Sequence, residues 1–169
     1  SGALGIVKGV IDSSPDISEM TIAPTRFSTF IYDSEGNQTA KLVASNSNRI
    51  PVSMDKIPEN LAHAFVALED ERFYEHNGID IKGILRAFMV GVKNKFNFSE
   101  GASTITQQLL KNIVFTDWVS EESFAEKLKR KIQEQYLAIE LEKQMDKNTI
   151  LVNYMNTINL GQNTLGVQA

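Results

Sequence analysis

The chain has 169 residues, 42% of them hydrophobic and 22% charged, which suits one ordinary domain able to bury most of its apolar surface. That balance excludes a disordered chain, and the absence of cysteine excludes a disulfide scaffold, a thiolate nucleophile and a zinc–cysteine centre. Seventeen basic against 21 acidic residues leave a net charge of −4, so nucleic acid is not an expected partner and any anionic ligand must be held by a local cluster.

No run reaches the roughly 18 apolar residues that a membrane span needs. Residues 1–11 are apolar but short, and they lack a signal-peptide cleavage pattern. Two readings stand side by side for them: the tail of a membrane helix, or a helix packed on the domain. Residues 15–24 are loop-like, rich in Ser, Asp and Pro. Strand-like runs at 26–32 and 38–44 flank the turn cluster 33–37, Asp-Ser-Glu-Gly-Asn, and predict a β-hairpin.

Everything after Pro58 has helical period. A first helix is expected over 58–76, opened by Pro58 and stopped by Gly78. A second follows Asp80 as N-cap, with Ile81, Leu85, Phe88 and Val92 on one side. Residues 94–101 read as a loop. The third helix starts near Ser103 and carries Ile105, Leu109 and Leu110. A long fourth follows Ser120, with Glu121 and Glu122 in its first turn, where the helix dipole favours them. Asp146 caps a fifth that bears Ile150, Leu151, Tyr154 and Ile158 and ends at Gly161. The expected fold class is therefore mainly α with a small N-terminal β-hairpin.

Three clusters carry candidate chemistry. On a continuous helix Glu69 lies within about 60° of Ala62, Phe65, Val66, Phe73 and His76, which points its carboxylate toward packing or a cleft. Its neighbours Asp70 and Glu71 turn to other faces. A bland reading makes Glu69 a rim carboxylate paired with Arg72 or Arg86. His63 and His76 stand roughly 140° apart on such a helix and cannot share a metal. No metal site is expected, and His76 is read as satisfying a backbone group near the helix end.

The second cluster, residues 101–108 (Gly-Ala-Ser-Thr-Ile-Thr-Gln-Gln), sets small and hydroxyl residues at a helix N-terminus, where free N–H groups and the dipole favour an anion. Gln107 and Lys111 share a face and could continue such a site. In the third cluster, Arg130 and Lys131 precede Glu134 by four and three positions on one side of a helix. That spacing suits an exposed ion-pair ladder or a phosphate-binding patch holding one carboxylate.

In this order the clusters resemble glycosyltransferase family 51, the peptidoglycan glycosyltransferases. The pattern Glu-Asp-x-x-Phe-x-x-His-x-Gly is matched by Glu69, Asp70, Phe73, His76 and Gly78. Gly-x-Ser-Thr-x-x-x-Gln is matched by Gly101, Ser103, Thr104 and Gln108. Arg-Lys-x-x-Glu is matched by Arg130, Lys131 and Glu134, and Ile-Leu-x-x-Tyr-x-Asn by Ile150, Leu151, Tyr154 and Asn156, with Gly161 following. The resemblance covers residues 57–169. It divides the chain into a juxtamembrane segment with the hairpin, 1–56, and a glycosyltransferase domain, 57–169, that would continue past Ala169.

The resemblance implies a lysozyme-like helical fold that polymerises lipid II into glycan strands with release of undecaprenyl pyrophosphate. It places the enzyme at the outer face of the bacterial cytoplasmic membrane, anchored by a helix absent from this chain. Its partners would be lipid II, the nascent glycan, the membrane surface and, in a bifunctional parent, a C-terminal transpeptidase domain. Glu69 and Glu134 are the implied catalytic carboxylates, Glu69 as general base and Glu134 as the one that positions substrate or tunes its basic neighbours. Asp70, Phe73, His76, Ser103, Thr104, Gln107, Gln108, Lys111, Arg130 and Lys131 are the implied substrate-binding residues. No resident cofactor is required, with magnesium or manganese as an optional assistant. The segment from Lys93 to Gly101 is expected to be poorly ordered without ligand.

Three departures stand out. Ala102 replaces a common glycine, the stretch between Lys111 and Arg130 is several residues longer than usual, and Glu126 stands where many members carry a basic residue. Two other functions compete. A lytic muramidase would use Glu69 and Glu134 as its carboxylate pair, but the basic residues beside Glu134 favour an anionic leaving group. A non-catalytic lipid-binding module would leave the joint occurrence of four motifs without a reason.

Overall fold

A computed structural model describes residues 2–18, 29–42, 50–93, 102–115, 123–158 and 167. It is mainly helical. Helices α1 (Gly2–Asp12), α2 (Glu59–Glu69), α3 (Ile81–Lys93), α4 (Ile105–Ile113), α5 (Phe124–Gln144) and α6 (Lys147–Thr157) are joined by one 3-10 turn, Met54–Lys56. Strands β1 (Thr29–Tyr32) and β2 (Gln38–Leu42) pair antiparallel with Thr29 opposite Leu42 and an irregularity between Ile31 and Tyr32. Asp33 organises their turn. Its carboxylate accepts the Glu35 and Asn37 N–H groups at 2.9 and 2.8 Å, and Gly36 takes the left-handed φ of 85°.

The core forms where α4 packs against α5 and α6. Ile105, Leu109 and Leu110 from α4 meet Leu137, Ala138 and Leu141 from α5 and Ile150, Leu151, Tyr154 and Met155 from α6, all buried. These residues recur at three- and four-residue spacing, so each helix lays one apolar stripe on the others. Phe73 and Val66 belong to the same core, and Ile17, Val52 and Ile57 join it from earlier in the chain. Asn156 fixes Val52 to α6 by accepting the Val52 N–H and donating to the Val52 carbonyl, each at 2.9 Å.

Residues 2–12 form a helix that lies against α5, where the Gln133 amide donates to the Val10 carbonyl and the Ser13 hydroxyl at 3.2 Å each. Its Leu4 and Ile6 stay exposed. The apolar residues Ile81, Leu85 and Phe88 of α3, joined by Met89, are exposed as well. Among the described residues no helix is long and apolar enough to cross a membrane.

Helix boundaries differ from expectation in four places, the last being α6, which stops at Thr157 with Ile158 (φ −59°, ψ 139°) already outside it rather than reaching Gly161. Helix α2 ends at Glu69 rather than running on to His76, because Asp70 takes φ −160° and ψ 74° and sends its carboxylate to partners outside the helix. The N-cap of α4 is Thr104, not Ser103; its hydroxyl accepts the Gln107 N–H while the Gln107 side-chain carbonyl accepts the Thr104 N–H. The long helix begins after Ser123 rather than Ser120, since Ser123 and Glu126 build a second capping box. That box explains Glu126: an acidic side chain at the third position of a helix caps it and complements its dipole. Glu121 and Glu122 lie outside the described residues, as do Gly101, Gly161 and the segment 94–101.

Candidate active site

The break at Asp70 organises the first cluster. Both oxygens of the buried Asp70 carboxylate meet His76 Nε2, at 3.0 and 2.9 Å, and Oδ2 also accepts the Ile105 N–H at 3.0 Å. The Gly78 N–H donates to His76 Nδ1 at 3.2 Å. A backbone N–H can only donate, so Nδ1 is the acceptor and the Nε2 proton faces Asp70. His76 thus satisfies a backbone group, as expected, and serves Asp70 besides. Asp70 itself does not turn away; it caps a free donor at the start of α4 from a distant point in the chain.

Gly78 completes this turn. At φ 90° it lies so close to α5 that an added Cβ would sit 2.5 Å from the Ala138 carbonyl carbon. Its own carbonyl accepts the Thr104 hydroxyl at 2.8 Å. Glycine is needed here for both the left-handed backbone and the close approach. Phe73 is fully buried between these supports, edge-on to Tyr74 and His76, with Lys147 Nζ 4.4 Å from its ring centroid.

Glu69, one residue before the break, is exposed at the wall of an open pocket. Gln108 of α4 donates its amide to Glu69 Oε2 at 3.1 Å, and the Tyr154 hydroxyl of α6 donates to Gln108 Oε1 at 3.3 Å. Burial, and after it the charge of Glu69, push the Tyr154 phenol far above its ordinary value, so it stays a proton donor. Neither Arg72 nor Arg86 is found paired with Glu69: Arg72 binds Asp80 at 2.5 Å, and Arg86 approaches Glu71 at 3.9 Å.

The third cluster meets the second across the same pocket. Ser103, just outside α4, lines the pocket with Glu69 and accepts Lys131 Nζ at 2.6 Å. Lys131 also reaches Glu134 Oε2 at 3.2 Å, and Arg130 pairs with Glu134 Oε1. Glu134 is fully buried, whereas the Lys131 side chain remains 41% exposed. An exposed ion-pair ladder is therefore not what forms. A buried carboxylate fixes two cations, one of which reaches the N-terminus of α4.

The expected site residues separate into two sets. Glu69 and Ser103 line the pocket, with Gln108 bonded to Glu69, Lys131 to Ser103 and Arg130 to Glu134, and Lys111 is half-buried on α4. Asp70, Phe73, Thr104, Gln107 and Glu134 are buried, and His76 is nearly so. Asp70, Thr104 and Glu134 engage their side-chain oxygens in holding helix ends and cations, whereas Gln107 caps α4 with its Oε1 and its buried Nε2 has no partner among the described residues. Tyr154, read in sequence as a core residue, turns out to reach the Glu69 carboxylate through Gln108. Its place at the register of Leu151 and Met155 concealed this. Among the described residues no group of three or more His, Asp or Glu side chains is placed to hold a metal ion.

Residues 35–169 match the Transglycosylase family. Penicillin-binding protein 1A of Clostridium novyi (strain NT) is 45% identical over 170 residues, covering 99% of this chain and 19% of that protein. The penicillin-binding protein 1A of Clostridium perfringens (strain 13) is 45% identical over 166 residues, with 96% of this chain and 23% of the relative covered. Penicillin-binding protein 4 of Bacillus subtilis (strain 168) is 37% identical over 158 residues, covering 94% and 24%. The chain belongs to the transglycosylase family, the peptidoglycan glycosyltransferases of cell-wall synthesis. It spans about a fifth of the length of the curated relatives it matches.

Proposed function

We propose that this domain lengthens glycan strands from lipid II, with the growing strand as donor and lipid II as acceptor, on the lysozyme-like helical fold implied by the family resemblance. The observation that carries the proposal is one pocket with a carboxylate on one wall and a lysine-bound helix N-terminus on another: Glu69 and Ser103 line it together, and Lys131 is tied to Ser103. A sugar hydroxyl is a weak nucleophile until a base takes its proton during attack. Glu69 takes the proton of the acceptor's 4-hydroxyl as that oxygen bonds to the donor's anomeric carbon from the face opposite the leaving group. The bond from that carbon to the pyrophosphate oxygen breaks with inversion, and undecaprenyl pyrophosphate leaves with the electron pair.

The leaving group gains negative charge, which Lys131, Arg130, Lys111 and the α4 N-terminus are suited to stabilise. Glu134 acts on these cations rather than on the sugar. Its burial beneath Arg130 and Lys131 removes it from the role of second carboxylate in a muramidase. A divalent ion, magnesium or manganese, would be an auxiliary counter-charge to the pyrophosphate rather than a resident cofactor. The exposed apolar residues of α3 favour work beside a membrane surface, at the outer face of the bacterial cytoplasmic membrane where a lipid-linked substrate is held. A transpeptidase domain is proposed for the remainder of the full-length protein.

The test is polymer formation from labelled lipid II by the full-length protein and its Glu69→Gln variant, each with and without EDTA. We expect polymer from the parent and a loss of at least about 100-fold in the variant, the scale of general-base catalysis. Undiminished polymerisation by Glu69→Gln would overturn the assignment, and complete loss with EDTA would overturn the auxiliary place of the metal.

A further inference from the structure

We infer that Tyr154 is a positioning residue for the Glu69 base, acting through the orientation of the Gln108 side-chain amide. This rests on the proposed role of Glu69 and adds to it a residue that touches no substrate. The argument is one of donor and acceptor matching. A glutamine amide presents a carbonyl and an NH2 that exchange places by a half-turn, and only the NH2 face is attractive to a carboxylate. The phenol of Tyr154 donates at 3.3 Å to Gln108 Oε1, which directs Nε2 to Glu69 Oε2 at 3.1 Å. The phenol is itself locked: Tyr154 is buried in the middle of α6, and its ring stands edge-on to Phe65, centroids 6.1 Å apart.

Each link does one thing. Packing fixes the phenol, the phenol fixes the amide, and the amide keeps a donor on the base. A donor held against the ionised carboxylate favours the charged, proton-accepting form. Loss of the hydroxyl leaves Gln108 free to present its carbonyl to Glu69, which repels the charge.

The readout is therefore the acid limb of the pH profile for kcat/KM, measured with labelled lipid II and the full-length protein. Other groups beside Glu69 shape that limb too. Asp70 is paired with His76, Arg72 with Asp80, Arg86 lies beside Glu71, and Lys131 is held on Ser103. None of them is altered by Tyr154→Phe, which keeps the ring and removes one oxygen. We expect the limb to move up, with the plateau above it close to that of the parent. Gln108→Met should move it equally, and the double variant no further than either single one.

An unmoved limb in Tyr154→Phe, or shifts that add in the double variant, would overturn the inference while leaving Glu69 as base intact. A Tyr154→Phe protein that no longer folds would overturn it as well, since the hydroxyl would then be required for stability rather than for the state of the base. Failure of the underlying assignment looks different: Glu69→Gln would then polymerise, and the parent's acid limb would persist in it.

Discussion

Single residues in this domain do two jobs wherever the motifs cluster. Asp80 caps α3 by accepting the Gly83 N–H on Oδ1 at 3.0 Å and binds Arg72 with both oxygens, Nε on Oδ1 at 3.2 Å and a terminal guanidinium nitrogen on Oδ2 at 2.5 Å. Gly83 leaves room for this, since an added Cβ would lie 2.3 Å from Asp80 Oδ2. The guanidinium of Arg72, with the Gly83 N–H behind it, holds the Asp80 carboxyl below its usual value. A carboxyl depressed in the folded state contributes stability above its unfolded pKa of about 3.9 and loses it as pH falls through the lower folded value. The stability difference between the parent and Asp80→Asn, from denaturant melts, is therefore expected to be present at pH 7. It should shrink steadily below about pH 4; a difference that grows on acidification would contradict the pairing. Glu134 follows a different logic. Buried beneath two cations, it stabilises little in itself, yet its removal would strand charge in the interior.

At the level of elements, caps fix where the functional side chains start. Thr104 and Ser123 both close capping boxes, but their surroundings differ. Ser123 is exposed, whereas Thr104 is buried and also donates to the Gly78 carbonyl. Thr104→Ala is expected to cost about 2 kcal/mol or more, and Ser123→Ala about 1 kcal/mol or less, as exposed caps typically do. Thermal melts of the two variants check the order, and equal losses would show that the tie to Gly78 contributes nothing. Helix α3 illustrates the limit of periodicity. It repeats apolar residues as regularly as α4, yet Ile81, Leu85 and Met89 are exposed while Ile105, Leu109 and Leu110 are buried. A period reports which side of a helix is apolar, not whether another element covers it.

Over the whole molecule, residues 50–57 are built into the helical core. Val52 and Ile57 are core residues, and Asn156 pairs with both backbone groups of Val52 as a neighbouring strand would. Asn156→Ala leaves those two buried groups without their partner, at about 1–3 kcal/mol each. It is expected to lower the denaturation midpoint and to expose residues 50–57 to limited proteolysis. Unchanged protection there would show that Val52 is held by its side chain alone.

Much of this was legible in the sequence. The stripes of α4, α5 and α6, the caps Asp80 and Asp146, and the four motifs with their order are local patterns, set by spacing along one chain direction. Local spacing could not decide which of the adjacent carboxylates Glu69 and Asp70, both of which line the pocket, is buried. A continuous helix would point Glu69 toward packing or a cleft and turn Asp70 to another face; Glu69 does stand at the pocket wall, but Asp70 is buried rather than turned away. The helix ends between them because Asp70 finds a donor on Ile105 and a partner in His76, and capping a distant helix outweighs one more turn of its own. The burial of Glu134 and the reach of Tyr154 to Glu69 were decided the same way, by contacts between α4, α5 and α6. Composition and period determined that these helices form and what they carry. Only tertiary packing, which desolvates some charges and leaves others in water, decided which residues hold the site and which line it.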